Sequence, residues 1–368
     1  MVFLTLLLVP AIIGTVTYFA LHTIDWKEFL LGIGIQVFIA GISVAIIYSS
    51  NVSDTEVWGG VVASKSKDRV SCEHSYDCNC RMEESCTGSG KDRSCTSHRV
   101  CDTCYEHSHD YDWNVHTSNN ERISISRIDR QGVHTPPRWV QIVLGESTSV
   151  EHSFDNYIKA APGTLFKREG FAGIKTPKYP EVFDYYRMNR LLGDAPVKDP
   201  DAWNRQLEDI NGHIAAQKQA NLLIVTTKGN KDFYFALQQA WLGGKKNDVV
   251  LVVGLDGLDI KWADVLAWSQ TKDINVQLRN DIMDLGTMDR EKVLNIFKFD
   301  TLKYYKRKPM HDFEYLKSSI TPTTTQWVVS MVIGTLVSIG LAILFHFKDI
   351  FGTETNSLYG RYNRRRRF

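Results

Sequence analysis

CEHSYDCNCRMEESCTGSGKDRSCTSHRVCDTCYEHSH, from Cys72 to His109, contains all seven cysteines of the 368-residue chain. They are Cys72, Cys78, Cys80, Cys86, Cys95, Cys101 and Cys104, with His74, His98, His107 and His109 among them. Few large apolar side chains fall between Cys72 and Arg99, so burial cannot order the segment and a covalent or coordinate framework is required. The spacing C-x5-C-x-C-x5-C-x8-C-x5-C-x2-C contains one zinc half-site, Cys101-x2-Cys104, whose two thiolates can reach one tetrahedral ion. The second half-site is open between Cys78 with Cys80, Cys72 with His74, and His107 with His109. The ligand set expected is drawn from Cys72, Cys78, Cys80, Cys86, Cys95, Cys101, Cys104 and His107, around a structural Zn²⁺. Disulfides compete with this reading, because clustered cysteines outside the cytoplasm form bridge frameworks. Seven is odd, however, and bridges alone leave one thiol over.

Outward from this segment, apolar residues accumulate at both ends. Val2 to Leu21 and Phe29 to Tyr48 carry no charge, and in Trp327 to Phe347 the single ionisable group is His346. Each run has about 20 residues, roughly 30 Å of helix, enough for a hydrocarbon core. Three transmembrane helices are therefore expected, the first two forming a hairpin over residues 1–48. Gly32, Gly34, Gly41, Gly334 and Gly340 would permit close helix packing. The tail, residues 348–368, has Arg361 and the run Arg364 to Arg367, which favours a cytoplasmic C-terminus and an extracytoplasmic large domain. The overall balance of 43 basic to 42 acidic residues gives no global field for nucleic acid.

Between the spans, residues 49–146 read as a small β-rich module carrying the Cys/His loops. Glu56 to Lys65 is expected to be its first strand, and the segment around Trp139, Ile142 and Leu144 another. Residues 147–200 read as an aromatic-rich connector with a short helix near Pro180 to Leu192. From Asp201 the pattern changes. Trp203, Leu207, Ile210 and Ile214 have helical spacing, with Asp199 or Asp201 as cap. Asn221 to Thr227 and Val249 to Val253 suit buried strands. Phe233, Ala236, Leu237, Ala240 and Trp241 fit an amphipathic helix ended by Gly243 and Gly244. Asp256-Gly257 turns into a third strand around Ile260 to Trp268, and helices follow over Val276 to Leu285 and Arg290 to Phe299. Strand, helix, strand, hairpin and closing helices make an α/β layer. Residues 303–326 form a basic and Thr-rich linker.

The run Ala240-Trp241-Leu242-Gly243-Gly244-Lys245-Lys246-Asn247-Asp248, followed at once by a Val-rich strand, resembles the TPM domain of membrane-anchored envelope proteins. The later order is also similar: a hairpin, a helix, then the break at Leu285-Gly286 before a last helix. The resemblance covers about residues 201–300 and implies an extracytoplasmic α/β domain beside a membrane helix. Where the family often has a glycine-rich stretch, this chain has Trp262 to Trp268. The arrangement as a whole is similar to that of bacteriophage membrane proteins.

The fold class expected is thus an α+β membrane protein with three transmembrane helices, a Cys/His-rich β module and a TPM-like α/β domain. The leading functional expectation is a non-enzymatic envelope protein. It would contact the lipid bilayer and bind another envelope or membrane protein, with self-association left open. Two alternatives are a membrane-tethered metal-dependent hydrolase, phosphatase-like and using either the zinc or the acidic hairpin with Asp248, Asp256 and Asp259, and a thiol redox protein using Cys101 and Cys104. The first needs its carboxylates to converge or a zinc with a water ligand, and the second needs a reversible dithiol. No HExxH or GxSxG occurs.

Overall fold

The computed structural model describes residues 11–13, 15–16, 26–87, 94–161, 170–171 and 173–347. The first expected span, residues 2–21, lies outside them but for 11–13 and 15–16, which are helical, and the arginine tail lies outside them entirely. In chain order the elements begin with helix α1 (Trp26–Val52), strand β1 (Ser53–Val70), the paired strands β2 (Ser75–Thr87) and β3 (Ser94–Tyr105), then β4 (Asp110–Thr117) and β5 (Arg122–Ile125). Helix α2 (Pro137–Gln141), strand β6 (Ser147–Asp155) and helix α3 (Tyr157–Ala160) follow. The short strands β7 (Val182–Phe183), β8 (Arg187–Met188) and β9 (Leu191–Gly193) lead into helix α4 (Pro200–Lys218) and strand β10 (Asn221–Thr227). Helix α5 (Asp232–Ala240), the hairpin β11 (Asp248–Asp256) and β12 (Asp259–Ala267), helices α6 (Asp273–Leu285) and α7 (Arg290–Tyr304), a 3-10 helix (Met310–Ser319) and helix α8 (Thr324–Phe347) are the remaining elements among the described residues.

The chain divides into two compact units: residues 1–54, 153–165 and 309–368 form one, and residues 55–152 and 166–308 the other. In the first, α1 and α8 are long and apolar enough to cross a membrane, with mean hydropathies of 2.4 and 2.5. A polar clasp joins the two helices: Gln36 Nε2 donates to Ser338 Oγ at 2.9 Å, and Ser338 Oγ donates to Gly334 O at 2.7 Å. The ring of Phe345 lies against Gly32, where a Cβ would come within 3.3 Å of it.

The second unit contains two four-stranded sheets and a ribbon. One sheet has the order β12-β11-β10-β9, with β10 parallel to β11 and β9, and β12 antiparallel. Its central strands read as unbroken apolar runs because both faces are covered. Leu222, Ile224, Val249, Leu251 and Val253 pack with Trp203, Leu207, Leu278 and Phe297 of α4, α6 and α7. The alternating residues Leu223, Val225, Val250 and Val252 pack with Phe233, Leu237 and Trp241 at α5. The other sheet, β5-β4-β1-β6, gathers Val62, Trp113, Val115, Ile123 and Ile125 on one face. The ribbon β2–β3 carries three disulfides, Cys78–Cys104, Cys80–Cys101 and Cys86–Cys95, and its side chains are mostly exposed.

Two local expectations change. The region near Pro180 to Leu192 is not a helix: Asp184 and Tyr185 have φ of 46° and 73°, turning β7 back on β8, and Leu191 to Gly193 then joins the α/β sheet as β9. The segment around Trp139 is helical rather than extended, because Pro137 at its first turn fixes a helical φ. The Lys245-Lys246 loop is packed against the fold: Lys246 is buried, and Lys245 Nζ donates to Thr55 Oγ1 at 3.2 Å.

Asp300 on α7 is buried beside the Asp281 carboxyl, with no amide, hydroxyl or cationic donor to its oxygens among the described residues. Burial, reinforced by the neighbouring Asp281 carboxylate, pushes its pKa up from 3.8 to about 6. A folded-state value above the unfolded one means that the native protein holds this proton more tightly. The contribution is therefore full below about pH 4 and is lost as pH rises through about 6. Asp300→Asn is neutral throughout and is expected to flatten that part of the pH dependence in urea melts between pH 4 and 8. An unchanged slope would show that Asp300 does not supply it.

Candidate metal centre

The ribbon leaves its parent sheet through two short links. Residues 71–74 join β1 to β2, and residues 106–109 join β3 to β4. Because β1 and β4 are paired, with Val70 opposite Asp110, the two links start side by side. A backbone bond from Glu106 N to His74 O, 3.0 Å, holds them together. This arrangement brings Cys72 and His74 from one link against His107 from the other and Asp110 at the head of β4.

One ligand atom from each of these four residues lies within 4.8 Å of the other three. Cys72 Sγ is 4.0 Å from His74 Nδ1 and 3.8 Å from His107 Nδ1. Asp110 Oδ2 is 3.3 Å from His74 Nδ1, and Asp110 Oδ1 is 3.4 Å from His107 Nδ1. Metal bonds of about 2.0–2.3 Å in a tetrahedron place ligand atoms about 3.3–3.8 Å apart; three of these four spacings fall in that range, and the Cys72–His74 spacing of 4.0 Å is slightly wider. Cys72 and Asp110 are buried, and the two imidazoles are about three-quarters covered, with exposures of 21% and 27%.

Asp110 carries the main argument for a ligand. Its Oδ2 accepts hydrogen bonds from Glu73 N at 3.1 Å and Arg127 Nη1 at 3.2 Å. Its Oδ1 is fully buried and has no hydrogen-bond partner among the described residues, although it faces His107. A buried carboxylate oxygen that accepts no hydrogen bond is costly unless a positive group, a protonated His107 or a bound cation, meets it. Burial alone would raise the Asp110 pKa. The Glu73 N–H, Cys72, Arg127 and His74 outweigh it and hold the carboxyl below its ordinary value. Arg127 is in turn fixed by Asp112, 2.6 Å from its Nη2. Such an outer contact orients a metal-binding carboxylate.

The gathered set differs from the one expected. Of the eight residues read as ligands, Cys72 and His107 come together, joined by His74 and Asp110. Cys78, Cys80, Cys86, Cys95, Cys101 and Cys104 are paired in disulfides, and a bridged sulfur has no thiolate to offer an ion. His109 turns away, with Nε2 3.0 Å from Tyr111 Oη. Sequence reasoning missed Asp110 because a single carboxylate is unremarkable. The available signal was the paired spacing C-x-H and H-x2-D, with Asp110 opening a strand of alternating polarity immediately after a histidine pair.

The other chemical candidates do not assemble. Asp248 lies at one end of β11 and Asp256 at the other, eight residues apart, or about 26 Å along a strand. Asp256 and Asp259 face Lys261 at 3.7 Å, and Asp264 pairs with Lys231 at 3.2 Å. Cys101 and Cys104 are bonded to Cys80 and Cys78, not to each other. No protein-family profile, curated protein or solved structure matches the chain.

Proposed function

We propose that this chain is a membrane-anchored envelope protein that presents a disulfide-clamped ribbon, fixed to its sheet by one structural Zn²⁺, for contact with another envelope or membrane protein. The observation carrying this reading is the convergence of Cys72, His74, His107 and Asp110 where the ribbon joins the sheet, while the remaining six cysteines are paired. One sulfur, two imidazole nitrogens and one carboxylate oxygen suit Zn²⁺ in tetrahedral coordination. Four protein ligands close the site, so its role is structural; Arg127 positions Asp110, and the two histidines bind through Nδ1. Three disulfides belong in an oxidising compartment, which supports an extracytoplasmic ribbon and α/β domain, with the C-terminal tail in the cytoplasm. The α/β layer, its two faces covered, supports the TPM-like reading. The apolar helices α1 and α8 supply the anchor, with residues 2–21 as a third span.

The ribbon offers Tyr76 and Met82 to solvent, with exposures of 52% and 64%. A photo-reactive residue placed at either position in membranes of the producing cell is expected to give a discrete protein adduct. Absence of any adduct, together with phosphomonoester hydrolysis by the purified full chain, would favour the hydrolase instead.

A further inference from the structure

Strand β9 is followed by α4, which packs on the sheet face holding Leu222 and Ile224. Strand β10 is followed by α5, which packs on the opposite face with Leu223 and Val225. The chain therefore leaves the carboxyl ends of two neighbouring parallel strands in opposite directions. In open α/β sheets a crevice forms at such a point, outside the carboxyl ends of the strands, and ligands bind in it. Here the crevice is a cleft of about 710 Å³. Small-molecule sites span about 300–1,000 Å³.

The walls of the cleft are fastened to one another. Thr226 Oγ1 donates to Ala195 O at 2.8 Å, and Lys228 N donates to Asp194 Oδ1 at 3.2 Å, which joins the exits of β9 and β10. Trp262 Nε1 donates to Gly229 O at 3.0 Å and ties β12 to the loop before α5. Gly254 lies opposite Trp262 in the register, and the indole fills the space that a Cβ at position 254 would need. The ring is thus held in one place before any ligand arrives.

Lys228, Lys261 and Asp256 supply the charges of the lining, and Pro196, Leu255 and Trp262 its apolar surface. Lys261 lies 3.7 Å from both Asp256 and Asp259, which share its charge. Lys228 is exposed and enters no ion pair among the described residues, so its charge is left for a ligand. We infer that this cleft binds a small organic anion, a carboxylate or phosphate group carried on a flat apolar body. The anionic group meets Lys228, and the flat body lies along Trp262 and Pro196. The site is independent of the metal centre, whose residues all fall between Cys72 and Asp110.

The test is a lysine footprint of the full chain in detergent. Sulfosuccinimidyl acetate acetylates exposed lysines, and mass spectrometry reads the rate at each one. The additions are benzoate, phenylphosphonate, methylphosphonate, benzamide and benzyltrimethylammonium. At roughly ten times its dissociation constant, benzoate or phenylphosphonate is expected to slow acetylation of Lys228 about tenfold. Exposed Lys298 on α7 is expected to keep its rate. Whichever of the two anions protects at lower concentration identifies the preferred group. Methylphosphonate, which has the charge without the ring, and benzamide, which has the ring without the charge, are expected to protect less. Trp262→Leu is expected to raise the concentration of aromatic anion needed by about 2–10-fold. An unchanged Lys228 rate under both aromatic anions in the wild type, or one slowed no more than that of Lys298, would overturn the inference. Protection by benzyltrimethylammonium alone would overturn it in favour of a cation. Protection by methylphosphonate equal to that by phenylphosphonate would overturn the flat apolar body.

Discussion

Asp110→Asn is expected to empty the metal centre and free the ribbon from its sheet. The substitution keeps the shape of the side chain and removes the negative charge that balances the ion. Outer partners of metal ligands are worth about 10–100-fold in affinity, and a charged ligand should cost at least the upper end of that range. Arg127 provides the graded comparison. It donates to Asp110 and Asp112 without belonging to the ligand set, so Arg127→Gln is expected to weaken Zn²⁺ by about 10–100-fold and not abolish it. Zinc titration with a competing chelator reads both. Hydrogen exchange at residues 71–74 and 106–109 should rise in Asp110→Asn while the strands of the α/β sheet remain protected. Equal affinity in wild type and Asp110→Asn would remove Asp110 from the coordination sphere.

Arg190→Met is expected to give the largest loss of stability. Arg190 is 1% exposed, and its guanidinium donates to Asn221 Oδ1, to Leu222 O at 3.4 Å and to Ser149 Oγ at 2.8 Å. It thus ties β6 of one sheet to β10 of the other. Burial lowers its pKa from 12.5 to about 10, still far above neutral pH, so the charge is retained. Methionine replaces the stem but leaves Asn221 Oδ1 and Ser149 Oγ without this donor, while Leu222 O keeps Asn211 Nδ2 at 3.5 Å. At about 1–3 kcal/mol for each unsatisfied group, the loss should be at least about 2 kcal/mol. Asn221 also donates to Asp248 Oδ1 at 2.8 Å, and Tyr179 Oη donates to the same oxygen at 2.9 Å. The Asp248 pKa is already pushed to about 6, by burial first, and loss of the nearby cation should push it higher. Chemical unfolding of the full chain at pH 5 and pH 8 measures this, with a greater deficit expected at pH 8. A change below about 1 kcal/mol would mean that water replaces the guanidinium.

What the sequence revealed follows from where burial does the ordering. Phe233, Leu237 and Trp241 declare α5 because one face of that helix meets the sheet, and Leu222 to Val225 declare β10 because both faces of the strand are covered. Asp256-Gly257 marks its hairpin, with Gly257 at φ 66°. Asp199 caps α4 as expected, its Oδ1 accepting from Ala202 N at 3.2 Å. Strands β2 and β3 carry no such pattern. They are exposed on both faces and held by sulfur, so alternation of polarity has nothing to report. Strand β9 was hidden for another reason: only Leu191, Leu192 and Gly193 pair with β10, too few for a period to emerge. The candidate metal centre was half legible. Cysteine and histidine point to coordination, but which of them meet is decided by the pairing of Val70 with Asp110 in two strands forty residues apart in sequence.

X-ray absorption at the zinc edge of the purified full chain tests the central claim most directly. The proposed site predicts one ion per chain bound by one sulfur and three nitrogen or oxygen atoms, at about 2.3 Å and about 2.0–2.1 Å. Two or more sulfur ligands would place the ion among the ribbon cysteines instead, and the absence of bound zinc would contradict the account.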